Sequence, residues 1–338
     1  MPTRRTIVRG AGLGLLLSPL PFRRVQAGAD ALRLSMGSPM PQAHPATTCL
    51  VEALDAIRAE SDGRIDITLY PDSQLGNELS MQSQLRSGAI AFTLTSASSL
   101  QTLAPLAGIP GVAYAFSGYV PLWAALDSGP LSERIRDSLA KFGLKAFRLV
   151  DNGFRDVITS VRPIATVSDL QGLKIRVPPS PLLTSLFRAL GASPTTINLA
   201  ETYAALQTRV ADGMENSLPQ IEATRVYEVQ KYLSRTGHSW DGLWILAHGR
   251  TWDGLPADAR ALIARHFDAA VERQRQAFVQ MNTQGEARLR AKGLVVNTPD
   301  RAPFRAALER AGYYAEWKGR FGAEAWTALE RHTGPLGA

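Results

Sequence analysis

Arg176 is the residue of this chain whose type and setting best suit ligand chemistry. It lies in the run Lys-Ile-Arg-Val-Pro at 174–178, where alternation places Lys174 and Arg176 on one face of a strand and Ile175 and Val177 on the other. An arginine fork donates two parallel hydrogen bonds to a carboxylate and stays charged at physiological pH. Spacing alone leaves two roles open: a carboxylate contact or, more commonly, a structural or solvent-exposed arginine.

Short strands alternate with helices along the chain, which is typical of an α/β fold. Residues 32–36 and 65–70 alternate apolar and polar side chains, as strands do. Further strands are predicted at 90–95, 157–161 and 173–177, and helices at 45–59, 81–87, 182–190 and 200–208. Open α/β sheets with right-handed crossovers bind ligands in crevices beyond the carboxyl ends of their strands. We therefore expect Thr95 and Ser96, where the third strand ends, to offer hydroxyls to such a crevice.

A helical pattern of unusual length runs from Pro256 to about Lys292. Its apolar residues recur at helical spacing, near one face. Thirty-odd residues at 1.5 Å each would extend about 50 Å, which is longer than one small domain. The alternative is two helices that break near residues 283–285.

The first 27 residues have the organisation of an export signal. Arg4, Arg5 and Arg9 precede an uncharged and mostly apolar run at 10–22, and small residues follow, with cleavage expected near Ala27 or Ala29. The apolar run is shorter than the about 20 residues that span a bilayer, so a cleaved signal peptide at 1–27 is expected rather than a membrane anchor. The arginine pair favours a twin-arginine signal, with an ordinary secretory leader as the alternative. The mature protein is therefore expected in the periplasm.

The basic charge of the chain comes partly from this leader. The formal net charge is +7, and residues 1–27 hold five arginines and no acid, which leaves +2 for the rest. The charge is thus weak support for nucleic-acid binding, and none is expected. Cys49 is the only cysteine, so the chain can form neither an intrachain disulfide nor a thiolate metal cluster. No second apolar run reaches spanning length, so the mature chain is expected to be soluble and not membrane-spanning.

Catalytic motifs are missing from the sequence. It has no Gly-x-Ser-x-Gly elbow, His-Glu-x-x-His helix, Gly-x-x-x-x-Gly-Lys loop or Cys-x-x-Cys pair. The five histidines show no ligand spacing, and the carboxylates mark no acid/base pair. An exported enzyme acting on a small carboxylate, a hydrolase or lyase with scattered catalytic residues, is the alternative function.

A series of motifs in a fixed order carries a family resemblance. The series is Tyr-Pro-Asp-Ser-Gln-Leu-Gly at 70–76, Asn-Gly-Phe-Arg at 152–155, Asp-Leu-Gln-Gly-Leu-Lys-Ile-Arg-Val-Pro at 169–178, Leu-Gly-Ala-Ser-Pro-Thr at 190–195, Ala-Ala-Leu-Gln-Thr at 204–208, Asp-Gly-Met-Glu-Asn at 212–216 and Tyr-Glu-Val-Gln-Lys-Tyr-Leu at 227–233. In this order the chain closely resembles the solute-binding proteins of TRAP transporters, the DctP family. The resemblance implies a periplasmic receptor, not an enzyme, that binds a small organic acid without a cofactor and delivers it to TRAP membrane permease subunits.

The same resemblance implies an α/β fold of two lobes, with a ligand cleft between them and the long helix bracing both. The expected boundaries are 30–152 plus 241–280 for lobe I and 153–240 plus 281–338 for lobe II. The chain would cross between the lobes near 151–154 and 238–241 and within the long helix. Binding would proceed by hinge closure, because only the closed state lets both lobes contact the ligand. A monomer is expected.

The resemblance also assigns residues to the ligand. Arg176 would clamp the ligand carboxylate, and Asn216 would hydrogen-bond the ligand. Arg155 would be a second basic contact, with a salt bridge at the hinge as its alternative role. Ser217 stands where the family commonly has Pro, and Met214 where it commonly has Gln, so the sequence departs from the family on both sides of the Glu-Asn pair.

Four further residues complete the expected ligand site. Glu78 would lie near the polar end of the ligand, or else be a first-turn helix acid favoured by the helix dipole. Ser96 would offer its hydroxyl. Trp240 and Asp241 lie at the second crossover, where an aromatic ring could form the floor of the ligand pocket. The commoner position of a tryptophan is in the hydrophobic core. Glu215 is the candidate contact for a cation, but the Glu-Asn pair resembles the metal-free branch of the family, so no metal is expected.

Overall fold

The structure is a computed structural model that describes residues 31–337, and the expected signal peptide at 1–27 lies outside them. Residues 31–337 form nine strands: β1 Leu32–Gly37, β2 Ile65–Tyr70, β3 Phe92–Ser96, β4 Leu144–Thr159, β5 Lys174–Val177, β6 Ser193–Thr196, β7 Gly213–Asn216, β8 Tyr232–His248 and β9 Val295–Asn297. The same residues form thirteen α-helices: α1 Pro45–Glu60, α2 Glu78–Ser87, α3 Ala97–Leu100, α4 Tyr119–Leu126, α5 Pro130–Ala140, α6 Pro181–Ala189, α7 Thr202–Gln207, α8 Leu218–Ala223, α9 Gly249–Gly254, α10 Ala257–Ala291, α11 Ala302–Arg310, α12 Tyr313–Phe321 and α13 Ala323–Thr333.

The nine strands described form one mixed sheet with the order β2-β1-β3-β8-β4-β7-β5-β6, and β9 pairs with the start of β8. β1 pairs in parallel with β2 and β3, and β5 pairs in parallel with β6 and β7. Between these groups lie two long antiparallel strands, β4 of 16 residues and β8 of 17. Each extends roughly 55 Å at about 3.4 Å per residue. The predicted α/β class is confirmed, but the strand predicted at 157–161 proves to be only the end of β4.

The two long strands change register in the middle of the sheet. Their pairing shifts at Ala146/Leu149, at Asp151/Gly153 and at Arg155/Val157. Gly153 has φ +92°, and a Cβ there would lie 2.8 Å from a ring carbon of Phe278 and 2.9 Å from the Cβ of Ser217. Only glycine combines this backbone angle with such a close approach. The segments predicted as crossovers, 151–154 and 238–241, pair with each other here.

The long helix α10 supports this irregular segment. β7 pairs with β4 only from Asp156 to Thr159, so Asp151 lies beyond its reach. The Gln274 side chain instead accepts from the Asp151 N–H at 3.0 Å and donates to the Asp151 carbonyl at 2.8 Å. The helix is continuous over 35 residues, so the break considered near 283–285 does not occur. At Gly285 a Cβ would come within 3.2 Å of the Leu218 Cβ, so a larger residue in the helix would require Leu218 to shift by a few tenths of an ångström.

Local sequence signals place Arg176 near the carboxyl end of its strand. β5 ends at Val177, and two prolines follow it. The Ser180 hydroxyl then accepts from the Leu183 N–H at 3.3 Å and caps α6, with Pro181 as the first helical residue. The chain therefore turns away from the sheet after Val177, one residue beyond Arg176.

Apolar side chains form three buried clusters around the sheet. The first includes residues of α2, α4, α5, α6, α11, α12 and α13. The second joins α1 and the first half of α10 to β1, β2 and β3, and the third joins α7, α8 and the end of α10 to β7. No helix among residues 31–337 combines the length and the apolar character that crossing a bilayer requires.

Asp151 is a buried acid at the register shift, with 1% of its surface exposed. Its Oδ1 accepts from the Trp240 Nε1–H at 3.0 Å and from the Gly153 N–H at 2.9 Å. Burial raises the pKa of Asp151 to about 7, and hydrogen bonds from Trp240, Tyr119 and Gly153 oppose that rise.

Replacing this carboxyl by an amide, Asp151→Asn, tests the raised pKa. Because the folded-state pKa lies above the unfolded value of 3.8, the contribution of Asp151 to stability is present below that value and is lost as the pH rises through 7. We expect the free energy of unfolding of the variant, relative to wild type, to rise by roughly 2–3 kcal/mol between pH 5 and pH 8. Urea unfolding at the two pH values measures this difference. Asp55→Asn, at an exposed position of α1, is the control; a difference for Asp151→Asn that does not change with pH would contradict the raised pKa.

Candidate functional site

Six of the seven predicted ligand residues line one chamber of about 20 Å³ near the middle of the sheet. They are Glu78, Ser96, Arg155, Arg176, Asn216 and Asp241. The seventh, Trp240, is outside this lining. Its indole N–H is bonded to Asp151, and its ring packs edge-on against Trp123 with 5.4 Å between centroids. Trp240 instead lines a second cavity of about 10 Å³, which shares Ser98, Arg155 and Asp241 with the chamber.

A larger groove of about 640 Å³ lies on the surface along α6 and α12. Its charged side chains, Arg188, Glu316 and Arg320, are all exposed. Exposed charges discriminate poorly between ligands, because water screens them. The small chamber, with its buried charges, is therefore the candidate site.

The Arg155 guanidinium forms ion pairs with two carboxylates in the wall of the chamber. Its Nε–H and one Nη2–H donate to the Glu215 carboxylate, the other Nη2–H donates to the Glu215 carbonyl, and Nη1 donates to Asp241 at 3.1 Å. Four of the five guanidinium N–H groups are thus bonded to protein acceptors. These ion pairs join β4, β7 and β8, so Arg155 makes buried salt bridges within the sheet.

The pKa values of Glu215 and Asp241 shift in opposite directions, although Arg155 lowers both. Burial favours the neutral form of Glu215, but the Arg155 ion pair and the hydrogen bonds from Arg155 and His238 outweigh it and hold the pKa below its usual value. For Asp241 burial dominates, and its pKa is raised despite Arg155 and the bonds from Ser98. Because Arg155 and His238 already contact Glu215, its carboxylate has little left to offer a cation. No three acid, histidine or cysteine side chains of residues 31–337 gather as metal ligands.

Arg176 is buried as deeply as Arg155 but has no acidic partner among residues 31–337. Both side chains are 2% exposed. The only hydrogen bond of the Arg176 guanidinium within those residues runs from Nε–H to the Ile197 carbonyl, at 2.8 Å. Four of its five N–H groups, those on Nη1 and Nη2, therefore have no acceptor in the described chain. Burial lowers the pKa of Arg176 to about 10, with Glu215 opposing and Arg155 adding to the effect, so the group stays charged at neutral pH.

Asn216 lies on β7, the strand next to β5. Its Oδ1 accepts from the Ser217 N–H at 2.9 Å. A proline at 217 would lack this N–H, so the bond depends on the departure from the family pattern. Because the amide oxygen of Asn216 is already bonded, its NH₂ is the group available to the chamber. Met214 is fully buried in the third apolar cluster, with Ile158 and Leu218, and does not line the chamber.

Glu78 and Ser96 are bonded to the start of α3. The Glu78 carboxylate accepts from the Ser96 N–H at 2.8 Å, from the Ser96 hydroxyl at 2.9 Å and from the Ser99 hydroxyl at 2.7 Å. The Ser96 hydroxyl also accepts from the Ser99 N–H and caps α3. These bonds make one wall of the chamber rigid and use most of the hydrogen-bonding capacity of both residues.

Three polar residues that the sequence did not predict also line the chamber, namely Ser98, Asn152 and Gln220. Ser98 and Asn152 donate to the Asp241 carboxylate. Asn152 belongs to the motif at 152–155 and could have been proposed from it. Gln220 lies between the motifs at 212–216 and 227–233, and no pattern in the sequence marks it as a ligand contact.

Residues 36–317 match the family described as bacterial extracellular solute-binding protein, family 7, DctP, and the chain belongs to it. The chain is similar to the 2,3-diketo-L-gulonate-binding periplasmic protein of Escherichia coli K12, with 31% identity over 255 residues that cover 75% of this chain and 77% of that protein. It is also similar to the sialic acid-binding periplasmic protein of Vibrio cholerae, with 33% identity over 260 residues that cover 75% of this chain and 79% of that protein.

Solved structures of TRAP periplasmic solute-binding proteins share the fold. One from Xanthobacter autotrophicus Py2, with bound β-D-galacturonate, has a TM-score of 0.82 and 26% identity and covers 89% of this chain and 99% of its own. One from Roseobacter denitrificans, with bound L-galactonate, has a TM-score of 0.82 and 27% identity. The match covers 90% of this chain and 99% of that chain. The predicted two-lobed fold and TRAP solute-binding family are confirmed. These relatives are receptors rather than enzymes.

Arg155→Met tests the ion pairs that join the three strands. The variant leaves Glu215 and Asp241 buried without their cation, so we expect the free energy of unfolding to fall by about 3–5 kcal/mol. Urea unfolding of wild type and variant measures this loss. Arg33→Met is the matched control, because it breaks the pair with Asp66 from a side chain that is 76% exposed, and it should cost less than about 1 kcal/mol. Equal small losses in the two variants would show that the Arg155 pairs are not structural.

Proposed function

We propose that this protein is a periplasmic receptor of a TRAP transporter, which binds a small organic acid anion and delivers it to the membrane permease. In this proposal the Nη1 and Nη2 groups of Arg176 hold the ligand carboxylate, and Asn216 donates its amide to the same ligand. The observation that carries the proposal is that the Nη1 and Nη2 groups of the buried Arg176 have no acceptor among residues 31–337, whereas Arg155 is already paired with Glu215 and Asp241.

The charge balance around Arg176 explains why the ligand would be an anion. A buried cation without a partner costs several kcal/mol, and a carboxylate bound through both Nη groups offsets that cost. Arg155 is close enough to add to the cost, and Glu215 relieves only part of it. Relatives named for 2,3-diketo-L-gulonate and sialic acid, and one solved with galacturonate, support an acid ligand for this chain too.

Ligand entry requires the chamber to open. A volume of about 20 Å³ holds roughly one water molecule, whereas ligand sites generally measure about 300–1,000 Å³. Glu78 and Ser96 line the chamber from lobe I, at 30–152 plus 241–280. Arg176 and Asn216 line it from lobe II, at 153–240 plus 281–338. The hinge of this proposal is the register shift around Gly153, and the ligand favours closure because both lobes then contact it.

The enzyme alternative gains no support from the chamber. The two carboxylates that line it, those of Glu78 and Asp241, accept hydrogen bonds from protein donors, and so does the carboxylate of Glu215 behind Arg155. A general base needs a carboxylate or imidazole that can reach a proton of the substrate. The receptor of this proposal works as a monomer, changes no covalent bond and uses no cofactor or metal.

Arg176→Ala tests the clamp. We expect it to weaken binding of the preferred acid about 30- to several-thousand-fold, because a charge-assisted pair in a desolvated cleft contributes about 2–5 kcal/mol. Arg176→Lys should not restore binding, since an ammonium lacks the planar fork. Titration calorimetry against galacturonate, galactonate, sialic acid and succinate measures the affinities.

Stability measurements on the same variants separate binding from folding. Arg176→Ala should not lower the free energy of unfolding of the ligand-free protein, because it removes a buried charge that has no acidic partner among residues 31–337. Arg188→Ala, at an exposed position of α6, should keep wild-type affinity and serves as the control. Wild-type affinity in Arg176→Ala, or a wild-type protein that binds no acid of the panel, would contradict the proposal.

A further inference from the structure

Gln220 is a buried amide without hydrogen bonds in the chamber wall. It lies on α8, has 1% of its surface exposed and lines the chamber that contains Arg176. Neither its Oε1 nor its Nε2 has a partner among residues 31–337. The Oδ1 of Asn152, in a side chain that is 3% exposed and lines the same chamber, also has none.

Burying such groups has no structural benefit that the described chain reveals. A buried amide that makes no hydrogen bonds destabilises the fold, and an apolar side chain of similar size would avoid that cost. Two neighbours of Gln220 on α8, Leu218 and Ile221, are apolar and lie in the third apolar cluster. A glutamine at this position is therefore best explained by a group that enters the chamber.

The chemistry of the two amides defines that group. The Gln220 amide both donates and accepts, and the Asn152 oxygen accepts. A hydroxyl also donates and accepts, so it can bond to all of these atoms. A keto oxygen only accepts, and a hydrocarbon chain can do neither.

We propose that Gln220 and Asn152 determine ligand specificity by binding hydroxyl groups of an acid whose carboxylate is held by Arg176. This inference rests on the proposed function, and it narrows the ligand to the polyhydroxylated acids, which include aldonates and uronates. Gln220 bonds one hydroxyl through both ends of its amide or two through one end each, and Asn152 accepts from another.

The test compares acids of equal carbon number with and without hydroxyls. L-Galactonate is paired with hexanoate and D-erythronate with butanoate, and displacement calorimetry measures the weaker partner of each pair. Wild type should prefer the hydroxylated acid at least about 100-fold. Gln220→Met has a similar volume but no hydrogen-bonding amide, and it should reduce that preference about 10- to 100-fold while the affinity for the unsubstituted acid changes little. Gln230→Met, which removes another buried amide with an unpartnered oxygen outside the chamber lining, should leave both affinities unchanged.

The outcomes distinguish this inference from the receptor function. If wild type binds unsubstituted acids as tightly as hydroxylated ones, or if Gln220→Met keeps the wild-type preference, the specificity role is wrong and the receptor function stands. The second result is also the one expected if a fixed water, rather than the ligand, bonds to Gln220. If no acid of any kind binds, both proposals fail together.

Discussion

Arg155, Glu215 and Asp241 come from three different strands, and their ion pairs determine how β4, β7 and β8 meet in the middle of the sheet. All three side chains are buried, so none can change its contacts without exposing a charge to a medium that solvates it poorly. This network also sets the electrostatics of the chamber. The carboxylates of Glu215 and Asp241 balance the charge of Arg155. Arg176 is equally buried, but it has no acidic partner among residues 31–337. The proposed anion site is thus a consequence of where the protein places its own acids.

The long strands couple this site to the frame of the molecule. β4 and β8 lie between the two groups of parallel strands, and their pairing is irregular where they contribute Asn152, Arg155 and Asp241 to the chamber. The irregularity leaves backbone groups of Asp151 beyond β7, and Gln274 of α10 bonds to them. A rotation about this segment would therefore change the contacts of the long helix as well as those of the chamber walls. In this arrangement the proposed ligand site, the proposed hinge around Gly153 and α10 share one connected set of contacts.

The sequence predicted the α/β class, the long helix and a shared location for Arg176 and Asn216, because alternation, helical periodicity and ordered motifs are local signals. It could not predict the full length of β4, since Asp151, Asn152 and Gly153 interrupt the alternation that marks a strand. The partners of Arg155 lie 60 and 86 positions along the chain, beyond the reach of any local pattern. Gln220 gave no signal at all, because a glutamine on a short helix is expected at the surface, and only the fold shows that it is buried.

The crystal structure of the complex with the acid anion that binds most tightly is the most direct measurement of the central claim, that Arg176 is the carboxylate contact. We expect the two carboxylate oxygens to lie about 2.8 Å from Nη1 and Nη2 of Arg176, with Arg155 still paired to Glu215 and Asp241. A carboxylate bound to Arg155 instead, with the Arg176 fork bonded only to protein groups, would contradict the claim.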